Sequence, residues 1–362
     1  MLQQYTIFFD FLRFCIGSKS EIPSSLKKAD WKELYRIAKK QCLVGILFDG
    51  IQKLPPAEVG MRKDLLLQWL MQCQMLEKVN VRQNNAAIQI SEWFRKKKFR
   101  TCILKGQGNA LMYPNPYSRT PGDIDIWVEG DVKTIISFVN SISPHEKVCY
   151  HHIEFPSYKG VEVEVHYRPS FLQCFWHNRR LQKYYDRVKE EQFSHRVMLG
   201  EQKEIAIPTV EFNLIFQLTH IYAHLMNEGI GLRQLVDYYY VLISDDLLLI
   251  RDRVQKELKE LGLWKFAGAI MYIMQEVFGM PASRLIVPPN EKCGKFVLNE
   301  VLEAGNFGKH DERNRFGRSK LGHNLQRVYR DIRFIRYFPA EALCEPLFRL
   351  WHFFWRKSVS IR

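Results

Sequence analysis

The chain has 362 residues, of which 46% are hydrophobic, 25% charged and 13% aromatic. This composition excludes an intrinsically disordered chain, because such sequences are poor in aromatic residues, and no apolar run reaches the ~18 residues that a membrane-spanning helix needs. The formal net charge of +14 favours anionic partners, such as nucleotides, nucleic acid or an anionic membrane surface.

The eight cysteines of the chain lack the CxxC spacing of common metal motifs. Several of them lie in apolar patterns, which predicts buried, reduced thiols. Because disulfides are rare in reducing compartments, this usage predicts a cytoplasmic protein.

The first 98 residues predict an N-terminal helical region. Apolar residues recur at helical spacing on both sides of a Pro-Pro pair at positions 55–56. A long helix is predicted over residues 62–98. Its basic end suits the negative pole of a helix dipole, an interpretation that competes with a nucleic-acid contact for the same residues.

The pattern changes after residue 98. Residues 101–104 form a short apolar run that predicts a buried strand. The next predicted segments are a turn with two glycines, a brief helix, a loop and a strand, at residues 105–109, 110–113, 114–122 and 123–128. Because the last of these alternates with period two, Asp123 and Asp125 are expected on one face of the strand.

A helix over residues 132–142 and a β-hairpin are predicted next. The hairpin has arms at residues 150–155 and 161–167 and a turn at residues 156–160. In the second arm the valines point to one face, whereas Glu162, Glu164 and His166 point to the other.

The chain after Pro169 is predicted to be mostly helical. The clearest helices are expected at residues 211–227, 232–242 and 264–278, with further basic, aromatic helices in the last ~70 residues. The predicted fold class is therefore α+β, with a mixed sheet in a core at residues 99–170 between helical regions at residues 1–98 and 171–362.

The paired acids at the start of the second strand predict a metal site. Asp123 and Asp125 would repel each other in a packed strand, unless a divalent cation lay between them. Magnesium (Mg2+) suits such oxygen ligands, and Glu164 supplies a third carboxylate on a neighbouring strand. Three carboxylates can hold two ions that clamp the attacking and leaving oxygens at a phosphorus centre. Gly106 lets backbone N–H groups approach a phosphate closely.

These residues resemble a known family. The Leu-Lys-Gly run ending at Gly106, the Gly-Asp-Ile-Asp run at 122–125 and the Val-Glu-Val-His run at 163–166 are similar to motifs of a poorly characterised bacterial nucleotidyltransferase family of the DNA polymerase β superfamily. Weaker similarities lie at 220–224, 231–237, 278–281 and 305–308. The resemblance spans roughly residues 30–310 and implies a polymerase β-like core.

The resemblance also implies roles for individual residues. Two metal ions, Mg2+ or alternatively Mn2+, would be held by Asp123, Asp125 and Glu164 as the catalytic carboxylates. The nucleotide would be contacted by Lys105, Gly106, Gln107 and Arg119. Residues expected to border the cleft are His166, Arg233 and Asp237. The chain departs from the superfamily in having Gly-Gln, rather than Gly-Gly or Gly-Ser, at the turn, which leaves the phosphate contacts open.

The predicted function is transfer of a nucleotidyl group from an NTP donor to an unidentified small-molecule or macromolecular acceptor. Two alternatives remain: a catalytically silent module that binds nucleotide or RNA, and a membrane-surface accessory protein of a biosynthetic pathway that uses its aromatic, basic tail at residues 350–357. His220 and His224 are expected to be core or helix-contact residues rather than a zinc pair. Whether Glu162 or Glu164 is the third carboxylate stays open.

Overall fold

A computed structural model describes residues 2–56, 60–200, 203–313 and 320–360 of the chain. Helices dominate these segments and flank one small sheet. The helices are α1 (Thr6–Cys15), α2 (Trp31–Gln41), α3 (Val44–Gln52), α4 (Lys63–Lys96), α5 (Gly106–Ala110), α6 (Val132–Asn140), α7 (Phe175–Ser194), α8 (Val210–Asn227), α9 (Leu232–Leu242), α10 (Leu247–Glu260), α11 (Trp264–Glu276), α12 (Glu291–Ala304), α13 (Lys320–Ile335) and α14 (Pro339–Ser360). The strands are β1 (Thr101–Leu104), β2 (Ile124–Val128), β3 (His152–Tyr158), β4 (Val161–His166), β5 (Arg196–Leu199) and β6 (Lys203–Ala206).

The central sheet has four strands in the order β1-β2-β4-β3. The β1–β2 and β3–β4 pairs are antiparallel, whereas β2 and β4 run parallel. The sheet is therefore mixed and flanked by helices, which confirms the predicted α+β class. The parallel pair at its centre brings the ends of β2 and β4 together, and the acidic residues lie on these two strands.

The hairpin between β3 and β4 is tighter than the sequence predicted. β3 continues through Pro156 to Tyr158, and the turn consists of Lys159 and Gly160, both with positive φ. Proline is tolerated here because β3 is an edge strand, and the register shifts between Phe155 and Tyr158. The prediction of a turn over residues 156–160 was therefore wrong in its extent.

The segment after β1 also differs from the prediction. The helix begins at Gly106 and ends at Ala110, so the expected turn at 105–109 and helix at 110–113 were misplaced. Tertiary contacts explain the difference, because buried polar side chains of α5 pair with other helices. Gln107 Nε2 donates to Gln83 Oε1 at 3.1 Å, and Gln217 Nε2 donates to Asn109 Oδ1 at 2.8 Å.

A second hairpin lies in the region that was predicted to be mostly helical. Its strands β5 and β6 pair antiparallel, with Arg196 opposite Ala206. Leu199 and Ile205 are buried against the sheet core. Each of these strands has only four residues and no regular alternation of exposed and buried side chains, so periodicity could not separate them from loops.

Two hydrophobic clusters organise the described residues. One lies on the central sheet and includes Ile90 and Phe94 of α4, while the other joins helices from both ends of the chain. Direct contacts cross the predicted boundaries: Gln41 Nε2 donates to the Val301 carbonyl at 3.4 Å. The predicted division of the chain into three regions, with boundaries at residues 98/99 and 170/171, therefore stays a prediction. No helix in the described segments combines the length and apolarity needed to cross a bilayer.

Candidate active site

Two of the predicted acidic residues lie opposite each other on neighbouring parallel strands. Asp125 of β2 is in register with Glu164 of β4, and side chains at paired positions project from the same face of a sheet. On the other face of β2, Ile124 and Ile126 are fully buried, which anchors the strand. Asp123 directly precedes β2, so the local fold brings three carboxylates to one end of the parallel pair.

Both carboxylate oxygens of Asp125 have cationic or imidazole partners. Lys105 Nζ lies 3.0 Å from Oδ2, and His166 Nε2 lies 2.9 Å from Oδ1. Burial alone would raise the pKa of Asp125, but the Lys105 ammonium and the His166 hydrogen bond outweigh burial and hold this pKa well below its usual range. Asp125 is therefore ionised at neutral pH although it is only 3% exposed.

Asp123 experiences the opposite shift. The negative charge of Asp125, followed by burial, raises the pKa of Asp123 to about 6. Lys105 opposes this rise and Glu164 adds to it. Opposite shifts in two neighbouring acids indicate that the site holds more negative charge than its own cations neutralise.

Glu164 meets two imidazoles at the end of β4. Its Oε2 lies 3.3 Å from His166 Nε2 and 3.2 Å from His152 Nδ1. Burial would lower the pKa of His166, but hydrogen bonds to Asp125 and Glu164 raise it to about 9, so this imidazole is protonated at neutral pH. Glu162, two residues earlier on the same strand, is exposed. Of the two candidates, Glu164 alone lies beside Asp125.

Three further histidines surround this cluster. His220 Nε2 lies 3.1 Å from Lys105 Nζ, and His151 packs edge-on against His152 and His166. Burial lowers the pKa of His151 and His220 well below the usual value and that of His152 to about 4, so all three are neutral. The sequence linked only His166 to the site. The others come from β3, from the residue that directly precedes it and from α8, and only the fold brings them together.

The turn that follows β1 contributes Lys105, Gly106 and Gln107. Lys105 adopts a positive φ of 50°, unusual for a residue with a side chain. Gly106 also has a positive φ, and a Cβ there would meet only the Asp123 carbonyl, at 3.9 Å. The space beside Gly106 is consistent with close approach of a ligand to the backbone. The Gln107 side chain instead points inward and is 3% exposed.

Arg119 lies in a different, closed cluster. Its Nε and Nη2 atoms donate to the two oxygens of Asp237 at 2.8 Å each, and Tyr113 donates to Asp237 Oδ1 at 2.6 Å. Arg233, which the sequence placed one helical turn from Asp237, donates instead to the Thr120 carbonyl at 3.1 Å. Arg119 is thus paired with Asp237 in the protein interior. This position gives no support to the predicted contact of Arg119 with a phosphate.

The open cluster, formed by the side chains of Asp123, Asp125, Glu164, Lys105 and His166, is one place where a metal ion could bind. One ligand atom from each of Asp125, Glu164 and His166 lies within 4.8 Å of the others. Carboxylate oxygens are the ligands that Mg2+ and Mn2+ prefer. The carboxylates of Asp125 and Glu164 therefore fit a hard divalent cation, with Asp123 as a further carboxylate at the same end of the strands, whereas the protonated His166 has no free lone pair to offer a metal.

Comparison with known proteins agrees with this geometry. No curated protein and no solved structure matches the chain. A family model described as "Uncharacterised nucleotidyltransferase" matches residues 27–279, which include the whole carboxylate cluster and α8 and α9. The chain therefore belongs to this uncharacterised nucleotidyltransferase family.

Proposed function

We propose that this protein transfers a nucleotidyl group from an NTP to an acceptor, with divalent metal ions held by Asp123, Asp125 and Glu164. The observation that carries the proposal is the register of Asp125 with Glu164 on adjacent parallel strands. The raised pKa of Asp123 beside them indicates uncompensated negative charge, which bound cations would neutralise.

The proposed metal is Mg2+, with two ions per site, and Mn2+ is the expected substitute. When bound, such ions supply charge neutralisation at the phosphates and stabilise the attacking and leaving oxygens. The acceptor oxygen forms a bond to the α-phosphorus, and pyrophosphate leaves. A carboxylate of the cluster accepts the proton of the attacking group.

Lys105 and His166 provide the positive charge that the chain itself brings to the reaction. The Lys105 ammonium lies between Asp125 and His220, where it can neutralise a phosphate oxygen of the donor. The protonated His166 holds Asp125 and Glu164 through its Nε2 and so positions both carboxylates. Gly106 leaves room for a phosphate next to the backbone.

One observation favours a second function, a catalytically silent module that binds nucleotide or RNA. Lys105 and His166 already engage both oxygens of Asp125, and an internal cation can replace a metal in a site that has lost catalysis. On this alternative, nucleotide binding would need no divalent ion.

Calorimetric titration separates the two. ATP, GTP, CTP and UTP are titrated into the full chain with Mg2+ and with EDTA, and the series is repeated on Asp123→Asn/Asp125→Asn and on the control Glu162→Gln. Binding that needs Mg2+, survives in the control and disappears in the double variant supports the transferase. Binding that is unchanged by EDTA supports the silent module. A folded parent that binds none of the four nucleotides would overturn the transferase and leave only a silent module that binds RNA, which titration with RNA would then test.

A further inference from the structure

A second group of metal-ligand side chains lies where α7 meets α14, apart from the carboxylate cluster. Cys174 caps the start of α7, and His177 lies in its first turn. Glu341 lies in the first turn of α14, and Cys344 lies one position beyond that turn. Glu341 and Cys344 are spaced three apart on α14, which places both on one helix face, while Cys174 and His177 lie at the start of α7.

The distances within this group are those of a compact site. One ligand atom from each of Cys174, His177 and Glu341 lies within 4.8 Å of the other two, and His177 Nδ1 is 3.9 Å from Glu341 Oε1. Cys344 is a neighbour of Cys174 and lies outside this group of three, so it is the residue that would complete the site. Cys174 and Glu341 are buried, while His177 and Cys344 are half-buried.

Backbone contacts already orient the carboxylate. The N–H of Gln173 donates to Glu341 Oε2 at 2.6 Å, and the N–H of Cys174 donates to Oε1 at 3.3 Å. A carboxylate has about four acceptor positions, so these two bonds leave capacity on Oε1, the atom nearest His177. Hydrogen bonds of this kind orient ligand atoms in metal sites.

We infer that Cys174, His177, Glu341 and Cys344 form a structural zinc site. Two thiolates, an imidazole nitrogen and a carboxylate oxygen make a four-ligand set of the kind that binds Zn2+ in tetrahedral geometry at ~2.0–2.3 Å. The two sulfurs discriminate against Mg2+, which prefers oxygen ligands. The two proposed sites therefore bind different metals: this one, with its soft sulfur ligands, binds Zn2+, and the carboxylate cluster of β2 and β4, with its hard oxygen ligands, binds Mg2+.

A zinc ion bound by these residues would link the C-terminal helix α14 to the start of α7. On the same helix, Phe348 and Trp351 pack against the ring of Tyr150 at centroid distances of 5.4 and 5.6 Å. Tyr150 directly precedes His151 and His152, and His152 Nδ1 lies 3.2 Å from Glu164 Oε2. The inference is independent of the proposed function, because the site needs neither nucleotide nor acceptor.

The test measures metal in the full chain, purified without chelator and with any affinity tag removed. Elemental analysis is expected to find about one zinc per chain. After zinc is replaced by Co2+, the absorption spectrum is expected to show a thiolate-to-cobalt charge-transfer band and the visible bands of a tetrahedral ion. Loss of zinc is also expected to lower the melting temperature, since a metal that binds only the folded state stabilises it.

Matched variants locate the site. Cys344→Ser, on a half-buried position, and His177→Gln should abolish stoichiometric zinc and the cobalt band. The control Cys73→Ser, a half-buried thiol on α4, should leave both unchanged, as should Asp125→Asn. Absence of metal and of the cobalt band in the parent would overturn the inference, and so would a Cys174–Cys344 disulfide in place of metal. Zinc that persists in Cys344→Ser but is lost in His152→Gln would place the ion in the histidine cluster instead and would equally refute the proposal.

Discussion

Two of the buried charged clusters among the described residues differ in charge balance. The cluster around Asp237 is closed: Arg119 meets both carboxylate oxygens through two hydrogen bonds, Tyr113 supplies a third, and the buried Arg233 adds a second positive charge nearby. At the strand ends, the carboxylates of Asp123, Asp125 and Glu164 outnumber the cationic groups Lys105 and His166.

The difference is visible in the titration of the acids. In the closed pair, burial would raise the pKa of Asp237, but Arg119 outweighs burial and lowers it. In the open cluster one acid is shifted down and its neighbour up. A buried acid whose oxygens are fully paired with cations is satisfied by the protein itself, whereas an excess of carboxylates over cations calls for further cations. This contrast separates a structural from a functional cluster more clearly than residue type does.

The largest expected effect is on the open cluster. Asp125→Asn should lower nucleotidyl transfer at least about a thousandfold, because it removes the anion that engages Lys105 and His166. The fold should persist, since the change also relieves the repulsion that raises the pKa of Asp123. Release of pyrophosphate from the bound NTP and a thermal melt measure the two quantities. Parental turnover in a folded variant would remove the metal assignment.

The closed pair should respond in the opposite way. Asp237→Asn keeps the shape of the side chain but leaves the buried Arg119 without its anion, and it should lower the free energy of unfolding by about 3–5 kcal/mol. Chemical denaturation measures the change. The control is Asp64→Asn, in the exposed ion pair with Arg62, where no measurable change is expected. Equal stability of the two variants would show that the closed pair is not structural.

Two glutamates on one strand sharpen the comparison further. Glu164 lies beside His152 and His166, whereas Glu162 is exposed. Glu164→Gln should lower turnover on the order of a hundredfold, and Glu162→Gln should leave it unchanged. The two variants carry the same Glu-to-Gln change two residues apart. A difference in their rates of pyrophosphate release therefore reports the position of the glutamate alone. A loss in Glu162→Gln with normal activity in Glu164→Gln would reverse the assignment of the third carboxylate.

The sequence predicted what depends on local patterns. Period-two alternation placed Asp125 and Glu164 on the polar faces of strands, and the observed register confirms that they lie together. The helices α4, α8 and α9 begin and end within about two residues of the prediction because their apolar periodicity is long. The resemblance to a nucleotidyltransferase family indicated which class of reaction the residues on these strands would serve. The family match confirms that resemblance.

The sequence did not predict contacts between segments that lie far apart along the chain. Arg119 and Asp237 are 118 positions apart, and the sequence offered a nearer partner for Asp237 in Arg233, one turn away on the same helix. His220 reaches Lys105 across 115 positions. The soft-ligand group joins α7 to α14 in the same way, and its cysteines show no motif spacing. Such pairings depend on how helices dock, which periodicity does not encode.

A third buried cluster lies between α13 and α14 and contains two acids for which no ligand is proposed. Asp331 of α13 faces Glu345 of α14, and Arg327 and Arg349 lie nearby. Burial, followed by the charge of Glu345, raises the pKa of Asp331 to about 7. The pKa of an unfolded Asp is about 4, so the folded state binds this proton more tightly. The resulting stabilisation is complete below about pH 4 and is lost as the pH rises through about 7.

Asp331→Asn should therefore flatten the pH dependence of stability. At about pH 8 the variant should be more stable than the parent by about 1 kcal/mol, a modest gain because Arg327, Arg349 and solvent screen the repulsion. Chemical denaturation of both proteins at about pH 5 and about pH 8 gives the slope. Asp64→Asn, at a fully exposed position, should keep the parental slope. If Asp331→Asn also kept it, Arg327 and Arg349 would neutralise both acids within the folded protein, and a raised carboxyl pKa alone would no longer mark a cluster as open.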